Sequence, residues 1–276
     1  MDKLTIIDGS SLLYSASYNT SVKEEYTDDF LKYRETLNFY IESILEATEA
    51  DKYIIFGDQV TSYRKKLFNT FKADRAKRPY MKFINDLMNY ANTELDFFNH
   101  KDLEADDLCL LTHNKFKEEY DITIASKDSD LRQYSAKFFN YGIFRKSDYK
   151  EGDGFEEISI SQARATLWKA VLIKGHNNKV DYLEGCGEKT AANYLKGWES
   201  NQFEYATLKA FIYGIDKDKD KNITRSVKGY GINKGIDKYN KSFKQTYLFR
   251  YLTELENLEI ELDLPDFSVN STKTEL

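Results

Sequence analysis

Two acidic clusters, EADD at residues 104–107 and SKDSD at residues 126–130, are separated by an apolar-faced helix and a short apolar run, and they constrain this chain more than any other feature. Glu104, Asp106 and Asp107 open the helix, while Asp128 and Asp130 follow the apolar-rich residues 122–125. One helix–strand unit thus delivers five carboxylates to one edge. Like charges crowded together repel and raise one another's pKa unless something positive lies between them. A divalent cation meets that need with the fewest assumptions.

The same edge recurs twice upstream. Residues 4–7 form a short apolar run closed by Asp8 and Gly9, and residues 53–56 form another closed by Gly57 and Asp58. Both read as buried strands ending in turns. Between them Phe30, Tyr33, Leu37, Tyr40, Ile41, Ile44 and Leu45 recur at helical spacing, which predicts an amphipathic helix over residues 28–50. Residues 80–90 read as a further helix, and residues 95–98, 122–125 and 138–141 as three more strands. Strands alternating with helices predict an α/β fold with a mainly parallel central sheet and helices on both faces. Ligands of such sheets collect at the carboxyl ends of the strands, where Asp8, Asp58 and both clusters fall. Each acid alone has an ordinary explanation in turn chemistry or the helix dipole; acids from segments this far apart do not share one.

Residues 63–78 hold Arg64, Lys65, Lys66, Lys72, Arg75, Lys77 and Arg78 against the single acid Asp74, interleaved with Tyr63, Phe68 and Phe71. A solvated helical connection has this composition too, but directly after an acidic strand end it suits a groove for a phosphate backbone with stacking rings. A shift to GDG within residues 151–155 marks a boundary, and residues 160–174 read as a helix. GCGEKTAANYL then places Gly185 and Gly187 before a helix that starts with Lys189 and Thr190, and free amides at such a start bind phosphate. The spacing is not that of a P-loop. The run DKDKDKN at residues 216–222 resembles the opening of a calcium loop but lacks the required Gly and Glu, so it reads as an exposed charged loop. Basic residues 228–244 offer a second backbone contact, residues 246–258 read as a final helix, and the tail after Pro265 as frayed.

With 276 residues, 41% of them hydrophobic, the chain supports one large or two ordinary domains and is not disordered. Cys109 and Cys186 have no metal or disulfide spacing and read as reduced, buried thiols of a soluble cytoplasmic protein. The net charge of -6 argues against a general polyanion binder, yet acids gathered around a metal leave the remaining surface near neutral. None of the three histidines adjoins a serine or cysteine motif, so histidine-based nucleophilic catalysis is not indicated.

Taken in order, IIDGSSLLY, IIFGDQ, FKADR, LEADDL, IASKDSDL and GCGEKTAANYL resemble the structure-specific 5'-nuclease family, the flap endonucleases and 5'-3' exonucleases of bacteriophages and of bacterial DNA polymerase I. The resemblance implies a PIN-like catalytic domain over residues 1–155, with an acidic metal site and a short basic arch region. It implies a helix-three-turn-helix and C-terminal helical region over residues 156–276. The activity it implies is phosphodiester hydrolysis dependent on Mg2+, with Mn2+ able to substitute and one or two ions per site. By position, Asp8, Asp58, Glu104 and Asp106 would form a first metal site with Asp107 close by, and Asp128 and Asp130 would serve a second. Lys72 and Arg75 match the catalytic cations that clamp the scissile phosphate, and Phe71 stands where a base stacks. Arg64 and Lys65 join Phe71, Lys72 and Arg75 as DNA-binding residues, as do Gly185, Gly187, Lys189 and Thr190 of the hairpin. The implied substrates are branched or nicked DNA, 5' flaps and RNA:DNA hybrids. The implied setting is a monomer working beside replication proteins in a bacterial or phage-infected cytoplasm.

Two departures qualify that picture. The family precedes its hairpin with G-D-x-x-D-N, whose aspartates complete the second metal site; here GHNNKVDYLEGCG puts His176, Asn178 or Lys179 at those positions, and Asp181 reaches them only through a remodelled loop. A weakened second site follows, in which Lys179 could supply a positive charge, and the alternative is a weakly active or non-catalytic branched-DNA-binding protein. A PIN-type ribonuclease would leave GCGEKTA unexplained. The stretch between Arg75 and Glu104 is also too short for a tall helical arch plus a strand, so obligate threading of a 5' end is not expected.

Overall fold

The computed structural model describes residues 1–23, 29–59, 61–68, 83–145, 153–174, 181–217, 223 and 225–270. From the N-terminus these form β1 (Lys3–Asp8), α1 (Gly9–Lys23), α2 (Phe30–Ala47), β2 (Lys52–Gly57), α3 (Tyr63–Leu67), α4 (Ile84–Glu94), β3 (Phe98–Asn99), α5 (Ala105–Phe116), β4 (Asp121–Ala125), β5 (Lys137–Phe139) and β6 (Phe155–Glu157). The second half adds α6 (Ile160–Leu172), α7 (Glu188–Leu195), α8 (Phe203–Tyr213), β7 (Gly214–Ile215), β8 (Val227–Lys228), α9 (Ile232–Thr246), α10 (Leu252–Glu256) and β9 (Ser268–Val269).

The sheet runs β3-β2-β1-β4-β5-β6, with β1 to β5 parallel and β6 antiparallel. Strand order reverses between β1 and β4, the switch point at which an α/β sheet opens a crevice. In the register Asp8 lies opposite Phe56, and Ile7 opposite both Ile55 and Ala125, so three strands end level there.

Alternation along the strands splits the core. Leu4, Ile6, Ile54, Phe56, Ile122 and Ile124 pack with α5 on one face. Ile7, Ile55 and Ala125 pack with α1, α2 and α4 on the other. Burial on both faces is why these strands read as unbroken apolar runs. Gly9 follows Asp8 because the chain turns from strand to helix against its neighbours: a Cβ there would meet the Phe97 ring at 2.4 Å and Phe56 O at 2.8 Å.

A third cluster joins α6, α7, α8 and α9 with the β7–β8 hairpin, and in it Trp168 stacks on Phe243 at 5.4 Å and on Tyr239 at 6.2 Å. α6 spans the two regions, since Ala163 packs with the sheet and Leu167 with the helices.

Two expectations about local structure are corrected. No helix covers residues 246–258: α9 ends at Thr246, residues 247–251 are non-helical and only Leu252–Glu256 turn again. The tail is not frayed through residue 270, because Ser268 and Val269 pair antiparallel with Tyr53 and Lys52. Phe155, at the expected boundary, opens β6, and Leu248, Leu255 and Phe267 pack with the core on the α5 face of the sheet. The third and fifth strands are shorter than expected, at Phe98–Asn99 and Lys137–Phe139. Residues 218–222 of the lysine–aspartate run lie outside the described residues. Both cysteines are free and buried, and among the described residues no helix is long and apolar enough to cross a membrane.

Candidate metal centre and nucleic-acid interface

Asp8 lies buried at the switch point, at 1% exposure. Its Oδ1 accepts the Ser11 N–H at 3.0 Å, capping α1, and its Oδ2 accepts the Ser126 hydroxyl at 2.7 Å. Ser126 Oγ in turn accepts the Asp128 N–H at 2.9 Å, and Asp128 Oδ1 accepts the Asp130 N–H at 2.9 Å, an Asx turn that builds the second cluster onto the end of β4. Asp58 donates its N–H to Ser10 Oγ at 2.7 Å and accepts the Ala105 N–H at 2.8 Å, so the residue just past β2 helps cap α5. The positive ends of α1 and α5 therefore both face the carboxylates.

The electrostatics show how closely these groups converge. Burial, then the Asp128 and Asp58 carboxylates, push Asp8 up to about 7, against the pull of its bonds from Ser11 and Ser126. Burial also drives the Cys109 thiol well up, with Asp8, Asp106, Asp58 and Asp107 adding to the rise. One buried sulfur thus feels carboxylates from three chain segments. Tyr141 is raised by burial and then by Asp8, and its hydroxyl reaches Asp8 O at 3.4 Å.

A second arrangement was not legible in the sequence. Arg64, on the buried side of α3, donates from Nη1 to Glu104 Oε2 at 2.8 Å and to Asp107 Oδ2 at 2.7 Å, and from Nη2 to Asp107 Oδ1 at 2.5 Å. Burial pulls its pKa down, but Asp107 and Glu104 outweigh that and raise it. Nη2 also donates to Tyr247 O at 2.7 Å, and Asp107 Oδ1 accepts the Phe249 N–H at 2.9 Å. On the other side Gln133, just past the second cluster, donates to Thr246 O at 3.1 Å and accepts from Leu248 N at 3.2 Å. Residues 246–249 thus form a strap whose alternate peptide groups are held by Gln133 and by the Arg64–Asp107 pair.

Three expected site residues meet in this network. Arg64, read as a DNA contact, is 2% exposed and enclosed by carboxylates. Glu104 and Asp107, read as metal ligands, both bond the Arg64 guanidinium. Composition alone does not tell these cations apart: α3 is dense in them and is capped by Ser62, yet Arg64 turns inward while Lys65 is half-buried and Lys66 exposed. Lys66 pairs with Asp102.

Phe71, Lys72 and Arg75 lie outside the described residues, as do His176, Asn178 and Lys179. Asp181 is described, and its carboxylate is held by Lys238 at 3.2 Å and Gln245 Nε2 at 3.2 Å, both on α9. The hairpin before α7 carries Gly185 at φ +83, a left-handed position suited to glycine, and Gly187 as the helix N-cap with no side-chain cap. A Cβ at either glycine would meet nothing within 4 Å, Lys189 is exposed, and Thr190 is half-buried at the same turn. Tyr230, which sequence reasoning missed, braces the hairpin from behind: its hydroxyl accepts the Glu184 N–H at 3.0 Å and donates to Tyr182 O at 3.0 Å. Lys234 and Lys238 lie over its ring at 5.5 and 5.2 Å, which brings the basic side of α9 beside the hairpin.

As a donor set, Asp8, Asp58, Asp106 and Asp128 offer only hard oxygens, and the charge that raises Asp8 is the charge a divalent cation would neutralise. The set fits such an ion in chemistry, although among the described residues no group of three or more His, Cys, Asp or Glu side chains is already drawn together to hold one.

Residues 3–156 match the family model of the 5'-3' exonuclease, N-terminal resolvase-like domain. The chain is 26% identical over 212 residues to a 5'-3' exonuclease of Bacillus subtilis (strain 168), covering 72% of this chain and 71% of that protein. It is 24% identical over 208 residues to the thermostable DNA polymerase I of Thermus caldophilus, covering 69% of this chain but 23% of the polymerase. Among solved structures, a bacteriophage T5 flap endonuclease in a pseudo-enzyme-product complex with DNA and metal ions superposes with a TM-score of 0.61 at 15% identity, covering 88% of each chain. The T5 5'-exonuclease with zinc bound gives 0.59 at 14% identity, covering 87% of this chain and 88% of that one. With more than half its length matched by the family model and the same α/β fold throughout, the chain belongs to the 5'-3' exonuclease family.

Proposed function

We propose that this chain is a metal-dependent 5'-nuclease that hydrolyses phosphodiester bonds near junctions between single-stranded and duplex DNA, as an exonuclease, a flap endonuclease or both. The observation that carries the reading is the convergence of Asp8, Asp58, Asp106 and Asp128 at the switch point of the sheet. Support comes from the uncapped glycine hairpin at α7 and from the T5 homologue's complex with DNA and metal ions. Residues 1–155 would carry the chemistry and residues 156–276 most of the duplex grip.

Asp8, Asp58, Asp106 and Asp128, with Asp130 behind them, would hold Mg2+, or Mn2+ in its place. When bound, such an ion supplies a Lewis acid and lowers the pKa of nearby water. The chain's own groups do the rest. Lys72 and Arg75 hold the scissile phosphate and stabilise the charge that grows on its oxygens. The amides that open α7, with Lys189, hold backbone phosphates without reading bases. Ser11 and Ser126 keep Asp8 oriented. Products carry a 5'-phosphate, and the setting is flap or RNA-primer removal in replication or repair.

The test is incubation with a labelled 5' flap, a nicked duplex and an RNA:DNA hybrid in Mg2+ and then Mn2+. Cleavage of a junction substrate is expected in at least one metal, and Asp58→Ala should abolish it while leaving junction binding largely intact. Binding without cleavage in either metal would overturn the nuclease reading. It would favour a second one, a junction-binding protein with a degraded metal site, which the tie of Asp181 to Lys238 and Gln245 supports.

A further inference from the structure

Seven acids stand at the edge used by both clusters, and the nuclease reading invites assigning all of them to metal. Arg64 divides them. Its guanidinium bonds Glu104 at 2.8 Å and both oxygens of Asp107 at 2.7 and 2.5 Å, and the three side chains are 3%, 3% and 1% exposed. Asp107 also accepts the backbone N–H groups of Glu104 at 3.2 Å and Phe249 at 2.9 Å, so an incoming ion would have to displace a fixed cation and two amides where water is excluded. Asp58, by contrast, spends one oxygen on the Ala105 amide, and Asp106 and Asp128 are half-buried. A bidentate Arg–carboxylate pair carries direction as well as charge, and Tyr247 O fixes the guanidinium from a third side.

Resting on the nuclease reading, we propose that Arg64 is a positioning residue acting as a resident cation: it withdraws Glu104 and Asp107 from the ligand set and confines the divalent ion to Asp8, Asp58, Asp106 and Asp128. Glu104 then shapes the field at the centre without touching the ion. Asp107 holds α5 so that its neighbour Asp106 is presented there.

Calorimetric titration of Mn2+ into the full chain without DNA tests this. Glu104→Gln keeps an amide oxygen that accepts from Arg64. Its dissociation constant should rise by less than about tenfold, because the charge removed is already offset by the Arg64 guanidinium beside it, against about 100-fold for Asp58→Asn. Arg64→Gln frees two carboxylates and removes a positive charge, so it should bind Mn2+ at least about tenfold more tightly, a gain that adding Glu104→Gln reduces. Should Arg64→Gln fail to fold, the comparison of Glu104→Gln with Asp58→Asn still decides. Equal losses in those two variants, or a folded Arg64→Gln that binds no more tightly, would overturn the proposal alone. A wild-type chain that binds no Mn2+ overturns it together with the nuclease reading, whereas Mn2+ binding without cleavage overturns the nuclease reading only.

Discussion

At the scale of a single residue, Asp8 carries an unusual burden. An acid whose folded pKa stands near 7 favours the fold in its protonated form; that contribution is whole below the unfolded value and is lost as pH rises through 7. Three pH units correspond to a stake on the order of 4 kcal/mol. Asp8→Asn keeps an acceptor for Ser11 N and removes the charge. In EDTA the variant should match the wild type in thermal midpoint near pH 4 and exceed it at pH 8, while cleaving nothing at any pH. A midpoint difference that does not grow with pH would refute the assignment. Asp8 and Asp58 were legible because a short apolar run closed by Asp beside Gly marks a strand end, and parallel strands bring such ends together. Arg64 was not, because a cation in a basic segment looks the same in sequence whether it faces water or two carboxylates 40 and 43 residues away.

At the scale of elements, the strap explains why apolar spacing failed after α9. Leu248, Tyr251, Leu252 and Leu255 recur as on a helix, and the sequence predicts one. The structure instead gives the peptide groups of residues 246–249 to side chains more than a hundred positions away, and a backbone so engaged cannot close helical turns. Such partners leave no local trace, whereas β1, β2, β4 and α5 are encoded by their own periodicity. Gln133→Ala should therefore cost about 1–3 kcal/mol in urea unfolding, the penalty of stranding buried polar groups, and should speed hydrogen exchange at the Leu248 amide. An unchanged midpoint with unchanged Leu248 protection would mean that Gln133 does not hold the strap. Because the strap runs from α9 to the α5 N-terminus, its grip links the hairpin side of the molecule to the acidic edge.

Across the whole molecule, the chain after α9 closes a circuit. It leaves the helical cluster at Thr246, passes between Gln133 and the Arg64–Asp107 pair, packs Leu248 and Leu255 under the sheet, and ends the described residues on the outer edge of β2. There β9 covers Lys52 and Tyr53, while β3 covers Phe56 and Gly57, so two short strands share one edge that would otherwise offer its peptide groups to another chain. Phe267 packs edge-on against Phe116 at 4.9 Å and Tyr120 at 5.6 Å, and buried Asn270 donates to Ala50 O at 2.9 Å and to Asp51 O at 3.0 Å. Removing residues 267–276 takes away one aromatic anchor, two ladder residues and that asparagine. Phe267 is half-buried, so the apolar part is worth about 1 kcal/mol, below the value for a fully buried phenylalanine, and unfolding in urea should show a loss of at least that size. The circuit's other anchor, at Arg64 and Gln133, stays in place, so binding of a nicked duplex, followed by fluorescence anisotropy, should change by less than about threefold, under 1 kcal/mol. A truncated chain as stable as the parent would show that β9 does not close the sheet. A stable truncated chain that no longer binds the duplex would instead place a DNA contact within residues 267–276, and the grip assigned to α7 and α9 would have to be redrawn around it.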